Sequence, residues 1–477
     1  MTQTPLERLA SFAAALRYED LPAEVAESLR ERLLDTVGLC LAARPLATSA
    51  MAEAVAGGWR TAGRATTIGS TARMAAPAAA FVNGVLAHSL DFDDTHLPSV
   101  LHPSASIVPT VLATAEESGA STRQAVAAAA AGYEVCIRTG MAGYDRELGN
   151  SVFFERGWHA TSICGALAAA TSAAKLLGLD AAGIGHAIGI AASMGSGIIE
   201  ANRSGGSVKR LHCGWAAHSG IVAAQCAAAG LTGPPTAFEG RFGFYQAFCG
   251  GRFEVGELTN GLGERWSIPG IFYKPYPANH FTHAGIDAAL RLRERLSVAE
   301  IETIELGVAS PTVRTIGEPR RRKVRPETGY QGQFSGPFTV AAAFLGGGGL
   351  GLWLDDFSDE KVADPRYLAL ASKVTCVADA ECDAIFPDQF PGILRVKTRD
   401  GRLHEEKVLA NRGGPANPLS VAELKIKFMA NAQRTLDRES SEALARSLLD
   451  PADRPAGELL APLAASERLV SRGGEHV

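Results

Sequence analysis

The chain has 477 residues, 46% of them hydrophobic and 20% charged, and its formal net charge is −5. This length is more than one ordinary hydrophobic core accommodates, so we expect two domains. The composition is that of a globular protein and excludes a chain that is disordered over most of its length.

Three further features bear on partners and location. The densest basic cluster lies at residues 320–325. It could contact a nucleic-acid backbone, but we interpret it as a solvated loop and predict no nucleic-acid partner.

No apolar run reaches the roughly 20 residues of a membrane span, and Glu7 and Arg8 stand where a signal peptide would be apolar. The eight scattered cysteines are typical of buried free thiols in a reducing compartment. We therefore expect a cytoplasmic protein without a membrane partner.

The first half of the chain has the pattern of successive helices. Asp20 is the expected N-cap of one helix, with Pro22 in its first turn, and apolar residues then recur every four positions from Val25 to Leu41. Pro77 opens the next helix. Further helices are predicted over residues 104–118, 122–141, 161–177, 181–194 and 209–229. Their faces are hydrophobic all round and rich in small residues, which indicates buried helices of a large α-domain.

The pattern changes near Ile268, where strand-like runs begin to alternate with helices. We predict helices over residues 281–296 and 337–345, and strands over residues 301–308, 373–377 and 393–397. Asp400 and Gly401 follow the third strand and predict a hairpin whose return strand covers residues 403–409. This middle segment is therefore a smaller α+β unit.

Helical pattern returns after a turn-rich stretch at residues 412–415. Ser420 and Glu423 form a capping box that opens a helix to about Leu436, and another helix follows near residues 440–449. We expect this tail to pack onto the first domain. The predicted fold class is thus mainly α, with a large all-helical domain formed by residues 1–268 and 412–477 and an inserted α+β domain at residues 269–411.

The segment after the second helix is the richest in chemically active side chains. Three carboxylates and two imidazoles lie within a dozen residues, namely Asp91, Asp93, Asp94, His96 and His102. Such groups are costly near a core unless they are paired or used, which favours a catalytic or metal-binding loop. The alternative is a solvated acidic turn in which Asp94 or Thr95 caps a helix. The ligand types permit a metal, but no His-x-x-x-His pair is present, which counts against a metal site.

A second segment, Gly157-Trp158-His159, stands at the start of a helix rich in small residues. A helix N-terminus disfavours a nearby imidazolium, so His159 is a candidate for a neutral histidine that accepts a proton. The alternative is a histidine that caps the helix or is satisfied in the core.

A third segment places Gly205 and Gly206 before a helix that begins with Lys209 and Arg210. Such an arrangement could hold a carboxylate or a phosphate. The Gly-Lys-Ser/Thr register of a nucleotide-binding loop is absent, so nucleotide binding is not supported. A flexible turn with surface cations is the alternative.

A fourth segment runs from Lys274 to His283 and contains two prolines. The prolines stiffen the chain and hold Lys274 ahead of a helix. His280 and His283 are about one helical turn apart and could share a face. The alternative is a domain linker with incidental polar residues.

Taken in order, these four segments resemble the MmgE/PrpD family, which includes 2-methylcitrate dehydratase, cis-aconitate decarboxylase and iminodisuccinate epimerase. The resemblance covers nearly the whole chain. It runs through LDTVG at 34–38, LDFDDTH at 90–96, HPSAS at 102–106, GWHATS at 157–162, GGSVKRLHCGWAAHSG at 205–220, FEGRFGFYQAF at 238–248, KPYPANHFTH at 274–283, QFSGPF at 333–338 and NPLSVAELKIKF at 417–428.

The resemblance implies a helical domain built from both chain ends, an inserted lid domain, a homodimer, and no metal, flavin or nucleotide cofactor. The site residues it implies are Asp91, Thr95, His102, His159, Lys209 and Lys274. Asn279 stands where decarboxylase-type members carry a further histidine, which counts against decarboxylation. His280 occupies a position where many relatives carry another residue, often arginine; we group it with the substrate-binding residues, and its role is open.

The shared chemistry of such enzymes is proton transfer at a carbon next to a carboxylate. A general acid or base contributes roughly 10²–10⁴-fold, and fixed positive charge stabilises the carboxylate-derived anion that develops. Our hypothesis assigns the proton transfers to His102 and His159. The remaining assignments are carboxylate binding by Lys209 and Lys274, hydrogen bonding to substrate by Thr95, and either histidine orientation or acid catalysis by Asp91. Lys274 is expected to come from the lid, so that closure completes the site and expels water.

Several functions are compatible with these residue types. We favour a 2-methylcitrate dehydratase-like hydro-lyase acting on a small di- or tricarboxylate, with a decarboxylase or an epimerase of the same family as alternatives. From another class, a metal-dependent hydrolase could use the acidic cluster between Asp91 and His102. A carboxylate-binding protein that keeps the fold without the chemistry is the third possibility.

Overall fold

The computed structural model describes residues 3–466 and residue 469. The chain divides into two compact units, which are described separately. The larger unit comprises Met1–Ile271 with Phe428–Val477, and the smaller comprises Phe272–Lys427.

The larger unit is built almost entirely of helices. Its α-helices are α1 (Pro5–Ala15), α2 (Ala23–Ala43), α3 (Ala47–Gly58), α4 (Ala76–His88), α5 (Ser104–Ser118), α6 (Thr122–Ala142), α7 (Val152–Glu155), α8 (Ala160–Leu176), α9 (Ala181–Ala192), α10 (Ala201–Ser204), α11 (His212–Ala228), α12 (Phe244–Cys249) and α13 (Val255–Thr259). Two short antiparallel pairs accompany them, β1 (Ala65–Thr66) with β2 (Arg73–Met74) and β3 (Tyr144–Asp145) with β4 (Asn150–Ser151).

The smaller unit combines short helices with one sheet. Its helices are α14 (His283–Leu292), α15 (Ser310–Gly317), α16 (Arg320–Val324), α17 (Gly329–Gly332), α18 (Gly336–Leu345), α19 (Asp359–Ala363), α20 (Pro365–Ala371) and α21 (Ala380–Asp383). Its strands are β5 (Ile301–Val308), β6 (Val374–Ala378), β7 (Gly392–Thr398) and β8 (Leu403–Val408). Next in the chain, α22 (Val421–Ala432) crosses the boundary between the units, and α23 (Arg438–Leu449) belongs to the larger one.

The sheet of the smaller unit has the order β6-β5-β7-β8. β5 and β6 are parallel, while β5 with β7 and β7 with β8 are antiparallel. The hairpin predicted from Asp400 and Gly401 is confirmed, since β7 pairs with β8 on either side of this turn and Gly401 has a φ of 87°. A left-handed φ of this kind is what glycine supplies without a steric cost.

A close crossing of α4 and α11 shapes the interior of the larger unit. Both helices pack together, and α11 also packs against α8. A Cβ atom added to Gly84 of α4 would lie 2.7 Å from the Cα atom of Gly214 of α11. The two backbones therefore touch without a side chain between them, as the small-residue faces predicted.

Several local predictions were wrong. Asp20 does not cap α2; its carboxylate accepts a hydrogen bond from the backbone N–H of Arg17 at 2.9 Å, and Pro22 precedes the helix. The helix predicted over residues 281–296 ends at Leu292. The basic residues 320–325, predicted as a solvated loop, lie mostly on a short helix, α16, instead of a loop. The side chains of Arg321, Arg322 and Arg325 are exposed, as predicted, whereas Lys323 Nζ donates to two backbone carbonyls. Helices α1 and α3 were not predicted.

Candidate active site

The acidic segment of the sequence forms a loop between α4 and α5. His88 is the last residue of α4, and its ring Nδ1 lies 2.6 Å from Oδ2 of Asp93. Both side chains are almost completely buried. A carboxylate only accepts hydrogen bonds, so Nδ1 of His88 carries the proton and Asp93 orients this ring.

The loop also holds His102 in one orientation. Its Nδ1 donates to the backbone carbonyl of Asp94 at 2.7 Å, and the Thr95 hydroxyl lies 3.3 Å from the same nitrogen. In the neutral ring, Nε2 is then the basic nitrogen. The backbone N–H of His102 donates to Thr161 of α8 at 3.2 Å, which ties the loop to that helix.

Two further imidazoles, those of His159 and His212, are hydrogen-bonded to each other. His159 is the N-cap of α8 and His212 is the first residue of α11. Their Nδ1 atoms are 2.8 Å apart. Burial, with further contributions from His88 and Lys209, holds the pKa of His159 well below the ordinary value of 6.5 and lowers the pKa of His212 to about 4. Both rings are therefore neutral at pH 7. Burial, rather than the predicted helix terminus, is the main cause for His159.

These four rings form one group, called here the histidine cluster, consisting of His88, His102, His159 and His212. The ring centroid of His88 lies 5.4 Å from that of His102 and 5.5 Å from that of His159. The centroids of His159 and His212 are 4.9 Å apart. Three segments distant in sequence thus bring proton-carrying groups into one region.

A lysine that is close enough to lower the pKa values of His159 and His212 is paired with a carboxylate. Nζ of Lys209 lies 3.0 Å from Oδ1 of Asp91, and both side chains are mostly buried. Lys209 is carried by a 3-10 helix, Val208–Leu211, directly before α11. Asp91 has a φ of 52°, a left-handed conformation that costs a non-glycine residue energy and clusters at functional sites. The predicted site residues Asp91 and Lys209 are therefore paired with each other.

The carboxylate of Asp94 anchors the loop to Arg32 and Ser104. Its Oδ2 accepts from Nη1 of Arg32 at 2.8 Å, and both side chains are nearly inaccessible. Ser104 donates to the same carboxylate from its hydroxyl, and at 3.2 Å from its backbone N–H. Burial raises the pKa of Asp94, while Arg32 opposes this effect. The carboxylate anchors the residue whose carbonyl orients His102.

His96 belongs to the structure of the loop. Its Nδ1 lies 2.6 Å from the hydroxyl of Ser99. Burial and the nearby charge of Arg32 lower its pKa to about 4. Ser99 is itself fully buried, so this pair stabilises the turn between the acidic residues and His102.

Lys274 and His280 belong to the smaller unit. Lys274 is buried there, 1% exposed. The His280 ring meets those of Phe272 and Phe390 edge-on, with centroids 5.6 and 5.4 Å away. Asn279 caps the 3-10 helix His280–Thr282, since its Oδ1 accepts from the backbone N–H of Phe281 at 3.1 Å.

His88 and His212 were not predicted as members of the group, and Asp93 was not among the predicted site residues. Sequence spacing contains a partial signal for His88, which precedes Asp93 by five residues and ends an apolar helix. His159 and His212 are 53 positions apart in the chain, and the sequence contains no signal for their contact. Among the described residues, no group of three or more His, Cys, Asp or Glu side chains is placed to hold a metal ion. No helix in the described part of the chain is long and apolar enough to span a membrane.

Several known proteins are similar to this chain over most of its length. A relative named cis-aconitate decarboxylase-like protein oryM, from Aspergillus oryzae, is 27% identical over 462 residues, covering 92% of this chain and 93% of the relative. Human cis-aconitate decarboxylase is 30% identical over 386 residues, covering 77% and 74% of the two chains. The Aspergillus terreus cis-aconitate decarboxylase is 26% identical over 415 residues, covering 83% of each. The family models for the MmgE/PrpD N-terminal and C-terminal domains match residues 7–255 and 276–450. The chain belongs to the MmgE/PrpD family.

Proposed function

We propose that this protein is a cofactor-independent lyase that transfers protons at a carbon next to a carboxylate of a small polycarboxylate, and that its reaction is the decarboxylation of cis-aconitate or a close analogue. The histidine cluster carries the proposal, because it combines neutral rings with an oriented one beside a lysine. The names of the relatives favour decarboxylation over the dehydration that the sequence analysis preferred.

The proposed reaction needs one proton for each molecule of carbon dioxide released. The bond between a CH₂ carbon and its carboxylate breaks, and the electron pair forms a new double bond while the existing one shifts. The carbon at the far end of this allylic system, next to another carboxylate, then accepts the proton. His159 supplies it as a general acid, because Nε2 of the neutral His102 ring carries no proton. General acid catalysis contributes roughly 10²–10⁴-fold.

Fixed positive charge supports the same step. The electron pair passes through a carboxylate-conjugated anion, which an ammonium group at that carboxylate stabilises. Lys209 stands in the region of the histidine cluster and is proposed for this role. Its partner Asp91 would hold the ammonium in place until a substrate carboxylate arrives. The contribution of Lys274, the lid role of the smaller unit and a homodimer rest on the family resemblance, and the role of His280 stays open.

Dehydration is the second candidate. It begins with proton abstraction from a carbon next to a carboxylate and ends with loss of hydroxide. His102 favours it, because the carbonyl of Asp94 leaves Nε2 as the basic nitrogen of the neutral ring. The departure at Asn279 counts in the same direction.

A substrate panel in deuterated water separates these outcomes. Cis-aconitate, citrate, 2-methylcitrate and iminodisuccinate are incubated with the enzyme, and carbon dioxide, double-bond absorbance and deuterium incorporation are measured. We expect carbon dioxide from cis-aconitate, with one solvent deuteron at carbon in the product. Double-bond formation from citrate or 2-methylcitrate identifies a dehydratase instead. Activity that is lost with EDTA and restored by a metal supports the metal-dependent hydrolase, and binding without deuterium exchange supports a carboxylate-binding protein.

A pair of variants links the activity to the histidine cluster. His159→Ala is expected to abolish turnover while the circular dichroism spectrum stays unchanged. His186→Ala is the matched control, because His186 lies in α9 and is not part of the cluster. Near-complete activity in His159→Ala contradicts the assignment.

A further inference from the structure

The contact between His159 and His212 joins the same nitrogen of two imidazoles. A hydrogen bond between two ring nitrogens requires a proton on one and a lone pair on the other. In a neutral ring the state of Nδ1 also determines the state of Nε2. At 2.8 Å the two Nδ1 atoms therefore couple the tautomers of the rings. When Nε2 of His159 is a donor, Nε2 of His212 is an acceptor, and the reverse.

The other two rings of the histidine cluster lack this freedom. Nδ1 of His88 lies 2.6 Å from the carboxylate of Asp93, and Nδ1 of His102 lies 2.7 Å from the carbonyl of Asp94. Both acceptors are oxygens without a proton, so each ring keeps its proton on Nδ1. Within the cluster, two rings have one fixed tautomer and one pair can exchange it.

We propose that His212 is a positioning residue that sets, through the shared Nδ1–Nδ1 hydrogen bond, whether Nε2 of His159 gives or accepts a proton at the polycarboxylate. This proposal rests on the proposed function, which it deepens by adding a proton path behind His159. The low pKa values of both rings support it, because the coupling needs neutral imidazoles.

The proton count balances with both rings neutral at the start and at the end. Nε2 of His159 gives its proton to the substrate carbon that receives the electron pair released with carbon dioxide. The proton on Nδ1 of His212 moves to Nδ1 of His159. Nε2 of His212 takes one proton from a solvent-borne acid, hydronium or buffer. One proton enters, one moves and one leaves, which exchanges the two tautomers. Before the next turnover the pair returns to its starting tautomers: Nε2 of His212 gives a proton to solvent, the shared proton moves back to Nδ1 of His212, and Nε2 of His159 takes a proton from solvent in the emptied site.

The backbone holds the pair in this geometry. The N–H of His159 donates to the carbonyl of Gly197 at 3.0 Å, and the carbonyl of His212 accepts from the hydroxyl of Ser162 at 3.2 Å. A Cβ atom at Gly197 would lie 3.4 Å from Nδ1 of His212. These contacts connect α8, α11 and the Gly197 segment around the pair.

The kinetic test uses His212→Asn and His212→Phe. Asparagine keeps a hydrogen-bonding group near the position of Nδ1 but cannot pass a proton from one end to the other, and phenylalanine keeps only the shape. We expect both to lower kcat by about 10²-fold, with KM within threefold of wild type. His218→Asn is the control, because His218 lies on the same helix and contacts the Pro77 carbonyl instead.

Rates in mixtures of H₂O and D₂O report on the path itself. A relay that moves several protons together gives a curved dependence on deuterium fraction, and we expect a straight line in His212→Asn. The control should match wild type in rate and curvature. Wild-type kcat in His212→Asn, or equal curvature in both proteins, overturns the proposal, as does a change in KM alone.

A measurement without turnover separates the proposal from the proposed function. ¹⁵N-labelled histidine in the unliganded full chain reports which nitrogen of each ring carries the proton. We expect the signals of His159 and His212 to show complementary or exchanging tautomers, and that of His159 to change in His212→Phe. An unchanged His159 tautomer in His212→Phe overturns the coupling. Absence of turnover on every polycarboxylate, with the tautomer coupling intact, overturns the proposed function alone.

Discussion

The buried ion pair between Arg32 and Asp94 allows a quantitative test of how the loop is held. Its side chains are 1% and 2% exposed, with Nη1 and Oδ2 2.8 Å apart. A surface pair, Arg17 with Asp20, has nearly the same separation, 3.0 Å, but exposures of 73% and 39%. Arg32→Met and Arg17→Met therefore differ mainly in burial.

The expected magnitudes differ several-fold. Removing one partner of a buried pair costs about 3–5 kcal/mol, because the other charge stays buried and uncompensated. Nη2 of Arg32 also donates to the carbonyls of Ile268 and Ile271, so the loss is expected at the upper end. Arg17→Met should leave the stability almost unchanged, because solvent screens an exposed pair. Burial already raises the pKa of Asp94, so without Arg32 it takes up a proton as the pH falls, and the cost should be smaller at pH 5 than at pH 8.

Equilibrium unfolding in urea, followed by tryptophan fluorescence, measures these differences. With an m-value of about 3 kcal/mol/M, the midpoint of Arg32→Met should fall by about 1 M or more. Its kcat should fall as well, because the carbonyl of Asp94 orients His102. A shift no larger than that of Arg17→Met would refute the reasoning that burial makes this pair matter.

Three further predictions concern the site and its pH dependence. Asp93→Asn should lower kcat by about 10²-fold or more with little change in KM. The reason is that an amide can donate a hydrogen bond to Nδ1 of His88 and so select the other tautomer of that ring. Steady-state kinetics check this, and an unchanged kcat contradicts it. Lys209→Met should raise KM and lower kcat together, whereas Lys175→Met, which removes a lysine bonded to backbone carbonyls, should affect neither. His96 and His212 have folded-state pKa values of about 4, below the 6.5 of a free imidazole, so the unfolded chain binds more protons between these values. The contribution of these two rings to the free energy of unfolding should be constant well above pH 6.5 and fall as the pH drops to 4, by up to about 1.4 kcal/mol per pH unit for each ring. A pH slope in His96→Asn equal to that of the wild type, measured by urea unfolding, contradicts this.

Much of the fold could be predicted because local patterns decide it. β5 begins and ends at the predicted residues, and the Ser420–Glu423 capping box opens α22 as expected. α5 also has the predicted limits. Where predictions failed, a competing contact decided the outcome. Asp20 is hydrogen-bonded to Arg17, which precedes it in the chain. Lys323 of the basic cluster donates to a backbone carbonyl that cannot be identified as its acceptor from the sequence.

The sequence allowed candidate site residues to be selected but not their pairing. His102 and His159 were selected because these ionisable residues lie in motifs that resemble those of the family. Their partners depend on how α4, α8 and α11 pack, and no spacing along the chain encodes it. Asp91 was expected to orient a histidine or act as an acid; it lies against Lys209, and Asp93 contacts the ring of His88.

The glycine crossing of α4 and α11 has a consequence for engineering. Gly84 is one turn before His88, and Gly214 is two residues after His212, so the contact lies directly behind two rings of the cluster. Because the two backbones touch without an intervening side chain, a shift of one helix against the other is expected to move these rings as well. A methyl group introduced at either glycine would force the helices apart, because its carbon would lie within 2.7 Å of a backbone atom of the other helix. Graded substitutions there offer a way to adjust the spacing of the imidazoles without removing a catalytic group.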